Sequence, residues 1–186
     1  MGELHYQAIA SLDGFVADAA GNFDWAEPDE EVHRFVNGLE RSIGTYLYGR
    51  RMYEVMRFWD TPDAVEGQPE HVREYAEIWR AADKIVFSRQ LDDVTTDKTT
   101  LERRLDPDAI RAVKALAVGD VSIGGPTLAA QAFAAGLVDH CHLILAPVIV
   151  GGGTSAFPPG VLQRLELVDE RRFRGGQAYL GYRTVD

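Results

Sequence analysis

Apolar and polar residues alternate over positions 4–10, which predicts an opening β-strand. Ser11-Leu12-Asp13-Gly14 then reads as a turn, and Gly21-Asn22 as a second. Val32, Phe35, Val36 and Leu39 fall at helical spacing behind Asp29, a residue suited to cap the helix they predict. Gly44 punctuates that helix, and residues 45–48 read as a short buried strand followed by a short helix near Arg50. A further amphipathic helix is predicted over 70–82, with Val72, Tyr75, Ile78 and Trp79 inward. Residues 84–87 form a strand candidate, 89–104 are polar with a weak strand at 99–101, and 107–117 read as a helix. The strand at 121–123 runs through Gly124-Gly125-Pro126 into a helix at 127–135 capped by Gly136. A long strand is predicted over 142–150, and the tail from 165 to 184 reads as two strands joined at 174–177. Strand and helix alternate until a strand-rich end. This predicts one α/β domain over residues 1–186, in three α/β/α layers, with a mostly parallel central sheet that finishes antiparallel.

Composition narrows the class. With 46% hydrophobic residues and 26% charged, the chain buries enough apolar surface to exclude a disordered or low-complexity protein. Its net charge is −10, and the first 49 residues carry nine acids against only Arg34 and Arg41. So acidic a chain is a poor binder of nucleic acid or anionic membrane, and neither is expected as a partner. An anionic ligand would need a local cluster of positive groups. The longest apolar run, 143–150, is interrupted by Pro147 and falls well short of a membrane helix. Cys141 stands alone, which excludes a disulfide framework and a multi-cysteine zinc site. With no basic, leucine-rich leader visible, a cytoplasmic location is expected.

Three strand ends carry the candidate chemistry. Gly124 and Gly125 let backbone approach a ligand without an intervening Cβ. Behind them, the first-turn N–H groups of the helix opening at Pro126 favour a phosphate or pyrophosphate, although a tight turn with no ligand has the same pattern. Gly49-Arg50-Arg51 repeats the arrangement, and a basic pair at a helix start is unfavourable unless an anion sits there. Ser88-Arg89 ends the strand at 84–87 with a hydroxyl and a guanidinium. Ligands of open α/β sheets bind beyond the carboxyl ends of strands, so these three ends suit one extended phosphorylated ligand. No Walker loop or nucleophile elbow is present. His140 and His142 share a strand face, but no acidic or cysteine ligand set is evident around them, and no metal site is expected. The glycines at 151–153 form a loop that is either a plain connection or a wall near the ligand.

In order, these segments resemble the dihydrofolate reductase superfamily, and more closely its branch containing the reductase domain of bifunctional riboflavin-biosynthesis deaminase-reductases. The resemblance rests on Ala10-Ser11-Leu12-Asp13-Gly14, Asp24-Trp25, Tyr48-Gly49-Arg50-Arg51-Met52-Tyr53, Ile85-Val86-Phe87-Ser88-Arg89 and Gly124-Gly125-Pro126-Thr127-Leu128. It continues through Gly136-Leu137-Val138-Asp139, Leu145-Ala146-Pro147-Val148 and Gly152-Gly153, spanning nearly the whole chain. It implies a mostly parallel eight-stranded sheet, NADPH as hydride donor and a homodimer. Gly49, Arg50 and Arg51 would lie against the cofactor phosphates, and Ser88 and Arg89 would form the 2′-phosphate pocket. Gly124, Gly125, Thr127 and Leu128 would cradle the pyrophosphate and nicotinamide side. In dihydrofolate reductases the paired glycines meet in a cis peptide.

The reaction implied is that of a 5-amino-6-(5-phosphoribosylamino)uracil reductase-like enzyme, delivering hydride to a C=N or C=O of a small heterocycle. Asp13 is the first candidate to orient substrate or supply the proton, and Glu30 and Glu31 are second, near the start of the first helix. Trp25 would form part of the pocket rim. Where the riboflavin branch has Lys or Arg after the Asp-Gly pair this chain has Phe15, which removes a partner for a ribose phosphate at that substrate position. The zinc-deaminase signature is absent. The alternative function is a nicotinamide-nucleotide-binding module or sensor without turnover. The presence of Asp13 together with all three phosphate-contacting segments favours the enzyme.

Overall fold

In the computed structural model, which describes residues 1–185, the opening alternation forms β1 (Leu4–Ser11), followed by the short β2 (Phe15–Ala17). A 3₁₀ turn at Asp24–Ala26 leads to α1 (Glu30–Glu40), where the Asp29 carboxylate accepts the N–H of Val32 at 2.9 Å and caps the helix. Next come β3 (Ile43–Gly49), α2 (Arg50–Met56), 3₁₀ turns at Arg57–Asp60 and Pro62–Ala64, and α3 (Glu70–Ala81). β4 (Asp83–Phe87) and β5 (Thr99–Glu102) precede α4 (Pro107–Leu116), which is capped by Asp106 through the N–H of Ala109. β6 (Asp120–Gly124) leads into α5 (Pro126–Ala134), and Gly136 turns the chain out of that helix at φ +63°. β7 (His140–Ala146), β8 (Thr154–Ser155), β9 (Arg164–Arg172) and β10 (Ala178–Val185) complete the chain.

Eight strands form one sheet in the order β5-β4-β3-β6-β1-β7-β10-β9. Neighbours from β5 to β7 are parallel, whereas β10 and β9 are antiparallel. Side-chain alternation divides the core. Leu4, Tyr6, Leu47, Val121, Ile123 and Cys141 point to one face, where Leu128, Ala129, Ala132 and Phe133 of α5 and Ile110 of α4 cover them. On the other face Tyr46, Tyr48 and Val86 pack with Tyr75 and Trp79 of α3, and Ile144 and Tyr179 pack with Val32 of α1. The expected α/β/α layering and parallel-then-antiparallel sheet are both present.

Two details differ from the sequence pattern. The strand expected over 142–150 begins at His140 and stops at Ala146, because Pro147 has no N–H to continue the ladder. The glycine-rich stretch after it leads into a small second sheet, in which β2 pairs with β8. Among the described residues no helix is long and apolar enough to cross a membrane.

Candidate active site

The sheet brings the three strand ends side by side. β4, β3 and β6 are adjacent and parallel, with Gly49 level with Phe87 and Tyr48 level with Gly124. Gly49, Ser88 and Gly124 therefore leave the same carboxyl edge together. Each glycine at this edge has a distinct cause. A Cβ on Gly124 would lie 2.8 and 2.9 Å from the Tyr48 ring and 3.2 Å from Met52 Cγ. Gly125 adopts φ +89°, which β-carbon-bearing residues rarely do. A Cβ on Gly49 would meet only Leu128 Cβ, at 3.9 Å, so the starts of α2 and α5 face one another with the backbone open. The Gly124–Gly125 bond is trans, since no described peptide bond is cis, and this departs from the cis glycine pair of dihydrofolate reductases.

The basic groups divide by what they already hold. Arg50 is engaged, its Nε donating to Glu54 Oε1 at 2.9 Å and its Nη1 to Gln90 Oε1 at 2.8 Å, so it ties α2 to the turn after β4. Arg51 and Arg89 are exposed and make no side-chain hydrogen bond or ion pair with another described residue. Ser88 is buried, and its Oγ accepts the N–H groups of Gln90 and Leu91, each at 3.1 Å, which fixes the turn that carries Arg89. Gly125 caps α5 with no side chain, and the N–H groups of Thr127 and Leu128 have no acceptor within the helix. Open backbone, two unpaired guanidiniums and free helix N–H groups at one edge fit the phosphates of a dinucleotide.

Next to Gly124 a cleft of about 160 Å³ opens between α1 and the sheet. Its walls are mainly apolar, with Ile9, Val36, Leu39, Met52 and Ile144 among them. Its polar groups are few. Gln7 lines it, and Gln7 Nε2 is buried with no hydrogen-bond partner. Glu40 lines it too, with Tyr46 Oη donating to Glu40 Oε2 at 2.8 Å. Burial pushes the Glu40 carboxyl up to about 7, against the smaller opposing pull of the Tyr46 bond. His142 and Ser122 line it as well; burial pushes His142 down to about 4, and its Nδ1 lies 2.7 Å from Tyr179 Oη. A larger, open recess of about 440 Å³ lies against α2 around Arg57, Phe58 and Thr96. It includes the acids Glu54 and Asp60, which suit a phosphate poorly.

The acids expected from sequence stand elsewhere. Asp13 follows β1 at the rim, where its carboxylate accepts the N–H of Gly151 at 2.8 Å and that of Val150 at 3.2 Å. A hydrogen bond with the Ser11 side chain, helped by those two N–H groups, holds Asp13 below the usual carboxylate range. Glu31 accepts the N–H of Arg174 at 3.0 Å and Arg171 Nη2 at 3.2 Å, and these contacts lower it too. Glu30 pairs with Arg34 at 3.0 Å on the outer face of α1. Neither Glu30, Glu31, Asp13, Phe15 nor Trp25 is among the cleft-lining residues. Trp25 is half-buried near β1, with its Nε1 donor unpartnered, and Phe15 begins β2 beside the Asp13 turn. Gln7 and Glu40 were not singled out in the sequence, because one lies in an ordinary strand alternation and the other at the frayed-looking end of a helix.

The pattern of the RibD C-terminal domain family matches residues 3–179. An uncharacterised Bacillus subtilis protein, YyaP, is 27% identical over 176 residues, covering 92% of this chain and 89% of that protein. Among solved structures, a Shewanella sp. PV-4 protein assigned to riboflavin biosynthesis superposes with a TM-score of 0.77 at 19% identity, over 99% of both chains. The Thermotoga maritima diaminohydroxyphosphoribosylaminopyrimidine deaminase/5-amino-6-(5-phosphoribosylamino)uracil reductase superposes with a TM-score of 0.69 at 16% identity. That match covers 99% of this chain and 57% of the longer one.

Proposed function

The chain belongs to the RibD C-terminal domain family, and on that premise we propose that it is an NADPH-dependent reductase of a small planar heterocycle. The observation that carries the reading is the juxtaposition at Gly124, where an open, basic strand-end edge adjoins an apolar cleft holding one unpaired donor and one buried carboxyl.

Arg51, Arg89 and the first turn of α5 would hold the cofactor phosphates, with Arg89 at the 2′-phosphate. Arg50 positions the turn that bears Arg89 through Gln90. NADPH, when bound, supplies the hydride from its nicotinamide. The protein's task is to hold a C=N or C=O group in line, exclude water and deliver a proton. Gln7 Nε2 has its hydrogen-bonding capacity free to fix a ring oxygen or nitrogen. Glu40 is the acid we assign to proton delivery. Tyr46 occupies Oε2 and leaves Oε1 to carry the proton, which a carboxyl pushed up to about 7 retains in part at neutral pH. Asp13, held ionised, orients the rim and substrate rather than donating a proton.

The cleft, at about 160 Å³, is smaller than the roughly 300–1,000 Å³ of sites for drug-sized ligands. It therefore selects a compact ring, with any ribose phosphate left outside near Phe15 and Trp25. A module without turnover has no use for a protonated carboxyl in its cleft, so we favour the enzyme. We also infer a homodimer, supported by the outer strand β9. All nine of its residues are exposed, including Leu165, Leu167 and Val168.

The test is a titration with NADPH and, separately, NADH, followed by tryptophan-to-nicotinamide energy transfer. It precedes turnover assays with pterins, quinazolines and deaminated pyrimidines. Saturable micromolar binding of NADPH with weaker NADH supports the reading. Absence of saturable binding by either overturns it.

A further inference from the structure

At the opposite edge of the sheet, away from the glycine turns, three side chains converge that the proposed reduction does not use. β1 and β7 run parallel with His5 level with His140, and the two imidazoles stack at 4.8 Å between centroids. Glu3 stands two residues before His5, and its Oε2 lies 3.0 Å from His140 Nε2. One donor atom from each of Glu3, His5 and His140 lies within 4.8 Å of the others. Asp120, at the start of β6, places its Oδ2 3.6 Å from His5 Nε2.

We propose that Glu3, His5 and His140 form a binding site for a divalent transition metal, zinc in the first instance, with Asp120 as an available fourth ligand. Imidazole and carboxylate are a donor set suited to zinc. In a tetrahedral site with bonds near 2.1 Å, ligand atoms stand about 3.4 Å apart. The Glu3–His140 and His5–Asp120 separations already bracket that spacing, and the donor atoms of Glu3, His5 and His140 all lie within 4.8 Å of one another, so small side-chain rotations would complete the site.

The surroundings prepare His5 as a ligand. His5 Nδ1 is 2.9 Å from His142 Nε2, and His142 Nδ1 is 2.7 Å from Tyr179 Oη. If His5 Nδ1–H donates to His142 Nε2, His142 donates onward from Nδ1 to the tyrosine oxygen. The Nε2 lone pair of His5 then faces the cluster. Outer hydrogen bonds of this kind fix the tautomer of metal-bound histidines. His5 Nε2 is buried and has no hydrogen-bond partner, which is costly for a polar atom and is relieved by a metal. The nearby cations are already taken: Arg183, level with His140 across β7 and β10, pairs with Glu166, and Lys114 pairs with Asp139. On binding, the metal takes the place of the hydrogen bond between His140 Nε2 and Glu3 Oε2, and the neutral His140 ring carries its one proton on Nδ1. The bound ion would fasten the start of β1 to β7, one hydrogen bond from cleft-lining His142.

The experiment uses tag-free protein stripped with EDTA and dialysed, then titrated with Zn²⁺, Co²⁺ and Mg²⁺. Thermal midpoint and, for Co²⁺, visible d–d absorption are read for wild type, His140→Ala, Glu3→Gln and the remote control His71→Ala. The expected result is a rise in midpoint with micromolar Zn²⁺ and a tetrahedral Co²⁺ spectrum, neither produced by Mg²⁺. His140→Ala and Glu3→Gln should weaken binding at least tenfold, while His71→Ala leaves it intact. The proposal is overturned by no zinc-dependent shift, by shifts unchanged in both cluster variants, or by loss of binding in His71→Ala. NADPH titration of the metal-free protein keeps this result separate from the fate of the reductase reading.

Discussion

Tyr46 Oη donates to Glu40 Oε2 at 2.8 Å, inside a layer where the rings of Tyr46 and Tyr48 stack at 5.4 Å. That aromatic shell excludes water from the carboxyl and raises its pKa to about 7. It also pushes up the phenols of Tyr46, Tyr48 and Tyr75, which stay neutral donors. A neutral phenol beside a carboxyl that is easily protonated gives the cleft an acid without a buried charge.

Glu40 therefore makes stability fall with rising pH. Its folded pKa is raised from 4.5 to about 7, so its contribution is complete below the unfolded value and is lost as pH climbs through the folded one. The difference in unfolding free energy between wild type and Glu40→Gln should fall by about 3 kcal/mol from pH 4.5 to pH 8, as an order of magnitude. Urea unfolding of both proteins across that range checks it. A constant difference would show that the carboxyl titrates alike in the folded and unfolded protein, and would remove Glu40 as the proton donor. In turnover assays wild type should lose kcat above pH 7. Glu40→Gln should be slower by about 10²-fold or more and lack that limb.

Most of the fold was legible because hydrophobic period and turn chemistry act locally. The spacing of Val32, Phe35, Val36 and Leu39 behind Asp29 corresponds to α1, and Gly136 ends α5 as its position suggested. The three strand ends were legible for the same reason, each being a short run of glycine, arginine or serine after an apolar strand. Glu40 and Gln7 were not, since a cleft is made by distant segments and no local pattern marks a side chain as facing it. The Glu3, His5 and His140 cluster was hidden likewise: its members are far apart in sequence and meet only through the β1–β7 register. The carboxylates at 13, 30 and 31 attracted notice by position, yet the structure engages each with backbone N–H groups or arginines outside the cleft.

Arg89 should decide between the two nicotinamide cofactors. It stands on a turn fixed by Ser88 Oγ and by Arg50 through Gln90, and it has no partner of its own among the described residues. A charge-assisted bond to a phosphate contributes about 1.5–3 kcal/mol. Arg89→Ala should therefore weaken NADPH binding by roughly 10–100-fold and leave NADH unchanged, as read by energy-transfer titration at fixed ionic strength. Equal weakening of both would move Arg89 away from the 2′-phosphate.

Gly124→Ala tests the packing of the edge. The new methyl would press on the Tyr48 ring at 2.8–2.9 Å, and that ring is held by Trp79 Nε1 donating to Tyr48 Oη at 3.1 Å. Overpacking of this kind costs about 1–3 kcal/mol, a fall in thermal midpoint of roughly 3–10 °C for a chain of this size. NADPH affinity should fall with it, because Gly124 stands at the strand-end edge proposed to receive the cofactor and the methyl displaces both Tyr48 and Met52 there. An unchanged midpoint would mean that the edge is looser than its geometry.

Asp13→Asn separates a clip from a catalytic acid. The Asp13 carboxylate joins the turn after β1 to Val150 and Gly151, and the loop continues to Gly153, where a Cβ would collide with the Ala17 carbonyl. Its pKa is depressed, first by Ser11 and then by the two loop N–H groups. The clip is therefore complete above the ordinary carboxylate pKa and is lost as pH falls through the lower folded value. Asparagine keeps one accepting oxygen but turns an NH₂ group toward the remaining loop donor. At pH 7, limited proteolysis at 150–153 should be faster in the variant, while wild type reaches a similar rate only in acid. With a role at the rim, KM for substrate should rise several-fold and kcat change little. A collapse of kcat with KM and loop cleavage unmoved would instead return the proton-donating role to Asp13 and remove it from Glu40.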